Sequence, residues 1–454
     1  MLKAAEAQGE ARRTNGMGQH GGSRGGGPPS PACPLDVPGA DRLSVEARAV
    51  LLAARLAPPE ADLEVAAALA EDPEFDWDRW FDLACRLWLH PTLALVALDR
   101  HNALGGVVPD DVRSRLELAV FAARARWRSY VHLLGPVLWA WKDEEIPVLA
   151  LKGAALQATV FPVGSRLLND VDLFVPPERI EDAHRVLVAA GFRRHHPEGG
   201  ILGEPAWTYL RSEEGGLAAL TVDLHRRLVP GRAAGPLDGA DCAAAGADAM
   251  FGDVPIRVPS PEDSVVLAGA HMAKDMAVKA LAPADLAAVY RGGGGYPGVD
   301  PERLVARAGE AGAEGATGLA LRWARAAGAP VPDGLIFRLE GAARGSLAPN
   351  AVLFDARALV STHRLRTVAR FGLKGAFAGR STWGWSAHRD VVRDVFVGSR
   401  DVGRSRFVAA LEALRGAALV GTAAAAAAAS ARRLRAGDFE GVCRANNLFW
   451  PELP

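Results

Sequence analysis

Residues 146–192 read IPVLALKGAALQATVFPVGSRLLNDVDLFVPPERIEDAHRVLVAAGF, and two acids near the middle of this stretch organise everything around them. Val171, Leu173 and Val175 fall at every second position and Asp170 and Asp172 alternate with them, the period of a β-strand. Side chains at i and i+2 share a face, so Asp170 and Asp172 project together, with Cα atoms about 6.5–7 Å apart. Val171, Leu173 and Val175 turn the other way, where a helical layer can cover them. Two carboxylates on one face repel unless a positive charge lies between them. A hard divalent cation held by one or two carboxylates and by phosphate oxygens answers that need. With two such ions about 3.5–4 Å apart, both the attacking and the leaving oxygen of a phosphoryl displacement are stabilised.

Working outward, 146–151 is a short apolar run ending at Lys152-Gly153, and 154–161 continue as a helix. A strand-to-helix turn offers free backbone N–H groups and a helix dipole to phosphate. Arg166 follows, with a planar fork suited to bidentate contact with a triphosphate. Beyond the acids, Pro177-Glu178 opens a helix that uses Ile180, Ala183, Leu187 and Val188 and ends at Gly191-Phe192. Segments 207–211 and 217–225 read as strands of a hairpin around Glu214-Gly215-Gly216. In the second strand Asp223 and His225 share a face while Val222 and Leu224 take the other, so Asp223 is the expected third carboxylate. An isolated Asp-x-Asp usually marks a solvated strand face. The Lys-Gly turn, the arginine and the third acid give this one its weight.

The flanks have a different texture. From 43 to 101 the pattern is helical, with Trp77, Trp80, Phe81, Ala84 and Leu87 as one stripe. A longer helix is predicted over 112–142 from Leu116, Val120, Ala123, Trp127 and Val131. After about 230 helices are expected again. Ser260-Pro261-Glu262-Asp263 has the form of a capped start, with Leu267, Ala270, His271 and Lys274 following, and 304–327 reads as one helix closed by Gly328 and Pro330. The expected divisions are a Gly/Pro-rich tail over 1–40, a helical region over 41–142, an α/β core over 143–230, a helical region over 231–335 and a mainly helical end over 336–454. Trp383 and Trp385 could stack a base but fit packing against a helix as well, and the alanines at 423–429 form a helix with little side-chain chemistry.

With 454 residues the chain has room for more than one packed unit. A formal charge of −1 supplies no global field for nucleic acid or anionic membrane, so polymeric nucleic acid is not a favoured partner. Four cysteines at 33, 85, 242 and 443 form no CxxC pair and argue against a zinc or thiol-redox site. The start of the chain lacks the apolar core of a signal peptide, and 416–431 is too short and alanine-rich to span a bilayer. The expected setting is cytoplasmic, away from membranes.

The segment 146–192 resembles the uncharacterised branch of the nucleotidyltransferase superfamily, relatives of DNA polymerase beta. Leu151-Lys152-Gly153, Arg166 and Asp170-Val171-Asp172 are similar to that family's pattern, and Val222-Asp223-Leu224-His225 is similar to its acidic-Leu-His element. His271 and Asp285 fall where recurrent helical residues are found. The resemblance implies an α+β fold, a minimal nucleotidyltransferase core of mixed sheet and helices flanked by helical regions. It also implies metal-assisted transfer of a nucleoside monophosphate, AMP being the expected one, from an NTP to a small molecule, peptide or protein. Asp170, Asp172 and Asp223 would hold Mg²⁺ or Mn²⁺ and act as the catalytic acids. Lys152, Gly153 and Arg166 would hold the phosphates of ATP or another NTP, with His225 and His271 behind them.

One departure matters. Many active relatives carry Gly-Ser or Gly-Gly at the turn, whereas Ala154 follows Gly153 here and a hydroxyl contact to phosphate is lost. A non-catalytic nucleotide-binding scaffold therefore stays beside the enzyme reading, as does transfer of a terminal phosphoryl group. Separately, His225 fits a site wall or a core histidine, His271 lies on an apolar helical face that suits structure, and Asp285 reads as a packing acid.

Overall fold

Apolar residues at helical spacing dominate the first hundred positions, and helices form there: α1 (Val45–Ala53), α2 (Glu60–Ala70), α3 (Trp77–Arg86), α4 (His90–Ala97) and the short α5 (Ala103–Val107). The computed structural model describes residues 37–194, 206–211, 220–228, 239–275, 281–342 and Phe354, all within one unit, 33–454. In α3, Asp76 caps the first turn by accepting from Arg79 N, and Trp80 and Ala84 are fully buried. The long α6 (Asp110–Asp143) opens on two acids, which suit the positive end of a helix dipole, and carries Lys142 in its last turn. It buries Leu116, Ala123 and Trp127, the expected stripe, while Val120 and Val131 are half-buried.

The core elements follow in the predicted order: β1 (Leu149–Ala150), α7 (Lys152–Thr159), β2 (Asp170–Phe174), α8 (Ile180–Ala189), β3 (Arg193–Arg194), β4 (Ala206–Arg211) and β5 (Leu220–His225). Gly191 ends α8 at φ +85°, and Phe192 N reaches back to Leu187 O at 3.0 Å with its ring buried. Strands β4 and β5 pair antiparallel, Thr208 opposite Asp223. The turn expected between them lies outside the described residues.

The chain continues through α9 (Gly239–Ala245), β6 (Ala247–Phe251), β7 (Val254–Val258), α10 (Pro261–Asp275), α11 (Leu281–Arg291), α12 (Pro301–Glu310), α13 (Glu314–Ala326) and α14 (Asp333–Ala342). Ser260 Oγ accepts from Asp263 N at 3.1 Å, so α10 starts at the expected cap. The seven strands form one mixed sheet in the order β3-β4-β5-β2-β1-β7-β6. This is the α+β architecture expected from the sequence. One sheet face, carrying Val171, Leu173, Val175, Val222 and Leu224, is closed to solvent. Helix α8 lies against it, with His184 Nδ1 2.8 Å from the hydroxyl of buried Tyr209.

Three expectations are corrected. The sheet does not stop near residue 230: β6 and β7 add a hairpin, turned at Gly252 (φ +67°), and β7 pairs parallel to β1. The sequence conceals it because Ala247, Asp248 and Ala249 are poor strand formers and Pro255 interrupts the second strand. The helix predicted over 304–327 is two helices, parted where Gly312 takes φ +59°. The strand expected over 146–151 narrows to Leu149–Ala150. Expectations for 1–36, Lys274's side chain, Trp383, Trp385 and the alanine run fall outside the described residues. Among the described residues no helix is long and apolar enough to cross a membrane.

Candidate functional site

Strand β2 lies between β1, antiparallel to it, and β5, parallel to it. The β2–β5 register sets Asp172 opposite Asp223 and Phe174 opposite His225. The alternation that buries Val222 and Leu224 leaves Asp223 and His225 half-buried on the face of Asp172. On the other flank Leu151 N donates to Asp172 O at 2.9 Å, extending the β1–β2 pairing by one bond before the chain turns into α7. Lys152 makes that turn at φ +47°. A left-handed conformation costs a residue with a Cβ about 1–2 kcal/mol, and here it starts a helix with the lysine beside the acids.

Lys152 Nζ donates to Asp172 Oδ1 at 2.6 Å, and His225 Nε2 donates to the same oxygen at 2.8 Å. Thr208 Oγ1 donates to Asp223 Oδ1 at 2.7 Å across the β4–β5 pair. One ligand atom each from Asp172, Asp223 and His225 lie within 4.8 Å of one another. Asp170 shares their sheet face but stands outside that set. Its carboxylate makes no hydrogen bond or ion pair among the described residues.

The electrostatics follow from this crowding. Burial opposes charge on Asp172, yet the hydrogen bond from His225 and the ammonium of Lys152 hold its carboxyl well below the usual carboxylate range. Burial pushes the Asp223 carboxyl up, and the charges of Asp172 and Asp170 add to it against the hydrogen bond from Thr208. For Lys152, burial disfavours the ammonium, but Asp172, joined by Asp170 and Asp223, raises its pKa.

The loop leading into Asp170 is fixed at many points. Thr92 Oγ1 donates to Ser165 O at 2.8 Å, and Arg126 Nη2 and Tyr130 OH of α6 donate to Asn169 O at 2.9 and 2.7 Å. Gln157 Nε2 donates to Phe161 O at 3.0 Å, closing the loop's start onto α7. These ties hold the acidic strand at a set height against α6 and α7.

Arg166 meets a partner within the protein: Nε and Nη2 each donate to Asp285 of α11 at 2.9 Å, and its side chain is 9% exposed. The charge of Asp285 outweighs burial and raises the pKa of the guanidinium further. Gly153 lies under this pair, where an added Cβ would sit 2.4 Å from Arg166 Nη1 and 2.9 Å from Leu168 Cδ2. Absence of a side chain at 153 therefore serves the packing of Arg166. Asp285, read as a packing acid, is one, with a definite partner.

Of the other expected residues, Lys152, Asp172, Asp223 and His225 come together, with Asp170 alongside. His271 is half-buried on α10 and does not join the ligand cluster. Sequence reasoning did not single out Thr208, although the hairpin register that pairs it with Asp223 was available as a signal. It also missed Tyr130 and Arg126, whose roles depend on how α6 crosses the sheet, which no local pattern states.

The donor set suits a hard divalent cation. Two carboxylates in register supply charged oxygens, Asp170 adds an unpartnered one, and the imidazole of His225 is acceptable to Mn²⁺ and tolerable beside Mg²⁺. The residues present fit the group.

The family described as "Uncharacterised nucleotidyltransferase" matches residues 73–327, a span that contains all seven strands and every residue of the cluster. Among solved structures, the solution structure of the antibiotic-resistance factor ANT(2'')-Ia is similar at 17% identity, over 32% of this chain and 72% of that one, with a TM-score of 0.22. No curated protein matches.

Proposed function

Because the chain belongs to the uncharacterised nucleotidyltransferase family, we propose that it moves a nucleoside monophosphate, AMP first among the candidates, from an NTP to a hydroxyl or similar group on a small molecule, peptide or protein. The observation that carries this reading is the in-register pair Asp172 and Asp223, with Lys152 and His225 meeting on one oxygen of Asp172. Asp170, Asp172 and Asp223 would hold Mg²⁺ or Mn²⁺, with His225 at its margin. Such an ion, when bound, would supply charge stabilisation at the transferred phosphorus.

This chain's own residues divide the remaining work. Asp223 stands in register with Asp172 with one oxygen held by Thr208, a position suited to taking a proton from the acceptor hydroxyl. Thr208 fixes one of its oxygens and leaves the other directed by the strand. Lys152 brings an ammonium whose side chain is 43% exposed, within reach of phosphate at the mouth of the site. Arg166 is paired with Asp285 and adds positive charge beside Asp170 and Asp172.

ATP labelled separately at the α and γ phosphates tests the proposal. Label from the α position in an acceptor, with pyrophosphate released, supports nucleotidyl transfer. Label from γ alone points to a kinase, and binding without turnover to the scaffold reading kept open by Ala154. Acceptors are best drawn from products of neighbouring genes.

A further inference from the structure

Lys152 is unusual in three ways at once. Its backbone is left-handed without being glycine, its ammonium sits 2.6 Å from a carboxylate that is 5% exposed, and its own side chain remains 43% exposed. The residue type is also informative, since only six of the 52 basic side chains in this chain are lysines. An arginine there would grip a carboxylate through a rigid fork, as Arg166 grips Asp285. An ammonium is a point charge on a flexible stem and can leave. The Lys152 ammonium bonds Asp172 and is felt by Asp170 and Asp223, so it offsets part of the repulsion among the three acids.

We propose that Lys152 is the resident cation of the site: without metal its ammonium holds Asp172 and the neighbouring acids together, and it yields Asp172 when a divalent ion binds, swinging outward to take the phosphates of the NTP. The inference rests on the nucleotidyl-transfer reading above and deepens it. One lysine then serves two states, first as counter-charge and then as phosphate ligand. The half-exposed stem gives it a path between them.

Two measurements on the full-length protein test this. Mn²⁺ binding, followed by calorimetry without nucleotide, compares wild type with Lys152→Met; removal of the competing ammonium is expected to tighten binding several-fold. In wild type, acetylation of Lys152 is followed by mass spectrometry without metal, with Mg²⁺ alone, and with Mg²⁺ plus α,β-methylene-ATP. The expected result is a several-fold faster modification with Mg²⁺ alone, reversed by the analogue. If Mn²⁺ binds wild type but Lys152 reactivity is the same in all three conditions, the ion pair is fixed and the inference fails. Transfer of α label by the same preparation would then leave the proposed function standing. Absence of Mn²⁺ binding by wild type without nucleotide would also overturn the exchange, and transfer of α label would still decide the proposed function.

Discussion

The acid row on β2 and β5 and the Arg166–Asp285 pair both contain buried charge, and they handle it in opposite ways. In the pair two parallel hydrogen bonds at 2.9 Å join Arg166 to Asp285, little of either side chain meets solvent, and the guanidinium feels Asp170 and Asp172 only through space. In the row three carboxylates gather with one lysine and one histidine, both placed on the same oxygen of Asp172, while Asp170 is left without a partner among the described residues. A closed pair gives a fold its register. A surplus of one sign, held by a flexible counter-charge, is a demand for a ligand. The two arrangements lie within a few residues of chain, and they set two expectations for Arg166, as the clamp on Asp285 or as a phosphate ligand.

Asp172→Asn presses hardest on the comparison. It removes the most strongly ionised member of the row and keeps its shape. Loss of one preorganised charge at a reacting phosphoryl group is expected to lower turnover about 10³-fold, with thermal unfolding little changed because Lys152 is free to turn to solvent. A variant that retains α-label transfer would place the chemistry elsewhere. The pair should answer differently. Arg166→Ala leaves Asp285 buried and uncompensated, a loss of about 3 kcal/mol or more in denaturant unfolding, and a double change of Arg166→Met with Asp285→Leu should recover most of it. If Arg166→Ala instead raised the KM for NTP at unchanged stability, the arginine would belong to the site after all.

The two regions also differ in how far sequence alone reveals them. Asp170 and Asp172 were legible because a period-two pattern fixes which face each residue takes, and Val222 and Leu224 marked β5 in the same way. Gly191 and Ser260 were legible because caps are local chemistry. Asp285 was not legible as the partner of Arg166, since 119 residues separate them and only the packing of α11 brings them together. The β6–β7 hairpin was hidden by residues that form strands only because the edge of β1 awaits them. Gly312 shows the same limit on a smaller scale: periodicity ran through it, and a single left-handed residue split the helix.

Gly153 stands at the boundary between the two regions, next in sequence to Lys152 and directly beneath Arg166. Gly153→Ala puts a methyl group 2.4 Å from a buried guanidinium nitrogen. Overpacking of this kind costs about 1–3 kcal/mol, and thermal unfolding should record it. Glycine here serves the closed pair, so the loss in stability should be recovered when Arg166→Met removes the obstruction. If Gly153→Ala unfolds like wild type while NTP affinity falls, the glycine serves phosphate approach instead.

The smallest effect is the most discriminating, because Thr208 touches no charge except the one it orients. Its hydroxyl donates to Asp223 Oδ1 at 2.7 Å from the directly opposed position on β4. Thr208→Val keeps the β-branched shape that suits a strand and removes only the donor. Losing one hydrogen bond to a carboxylate is worth about 1.5 kcal/mol, so kcat should fall about tenfold while the KM for NTP stays near wild type, since the phosphates are held across the site by other groups. Thr208→Ser restores the donor and should restore kcat. Equal loss in both variants would mean that the methyl group matters and the hydroxyl does not, and Asp223 would then be held by its strand alone. An unchanged kcat in Thr208→Val would show that Asp223 needs no orientation, which is the behaviour of a charge that merely neighbours the site.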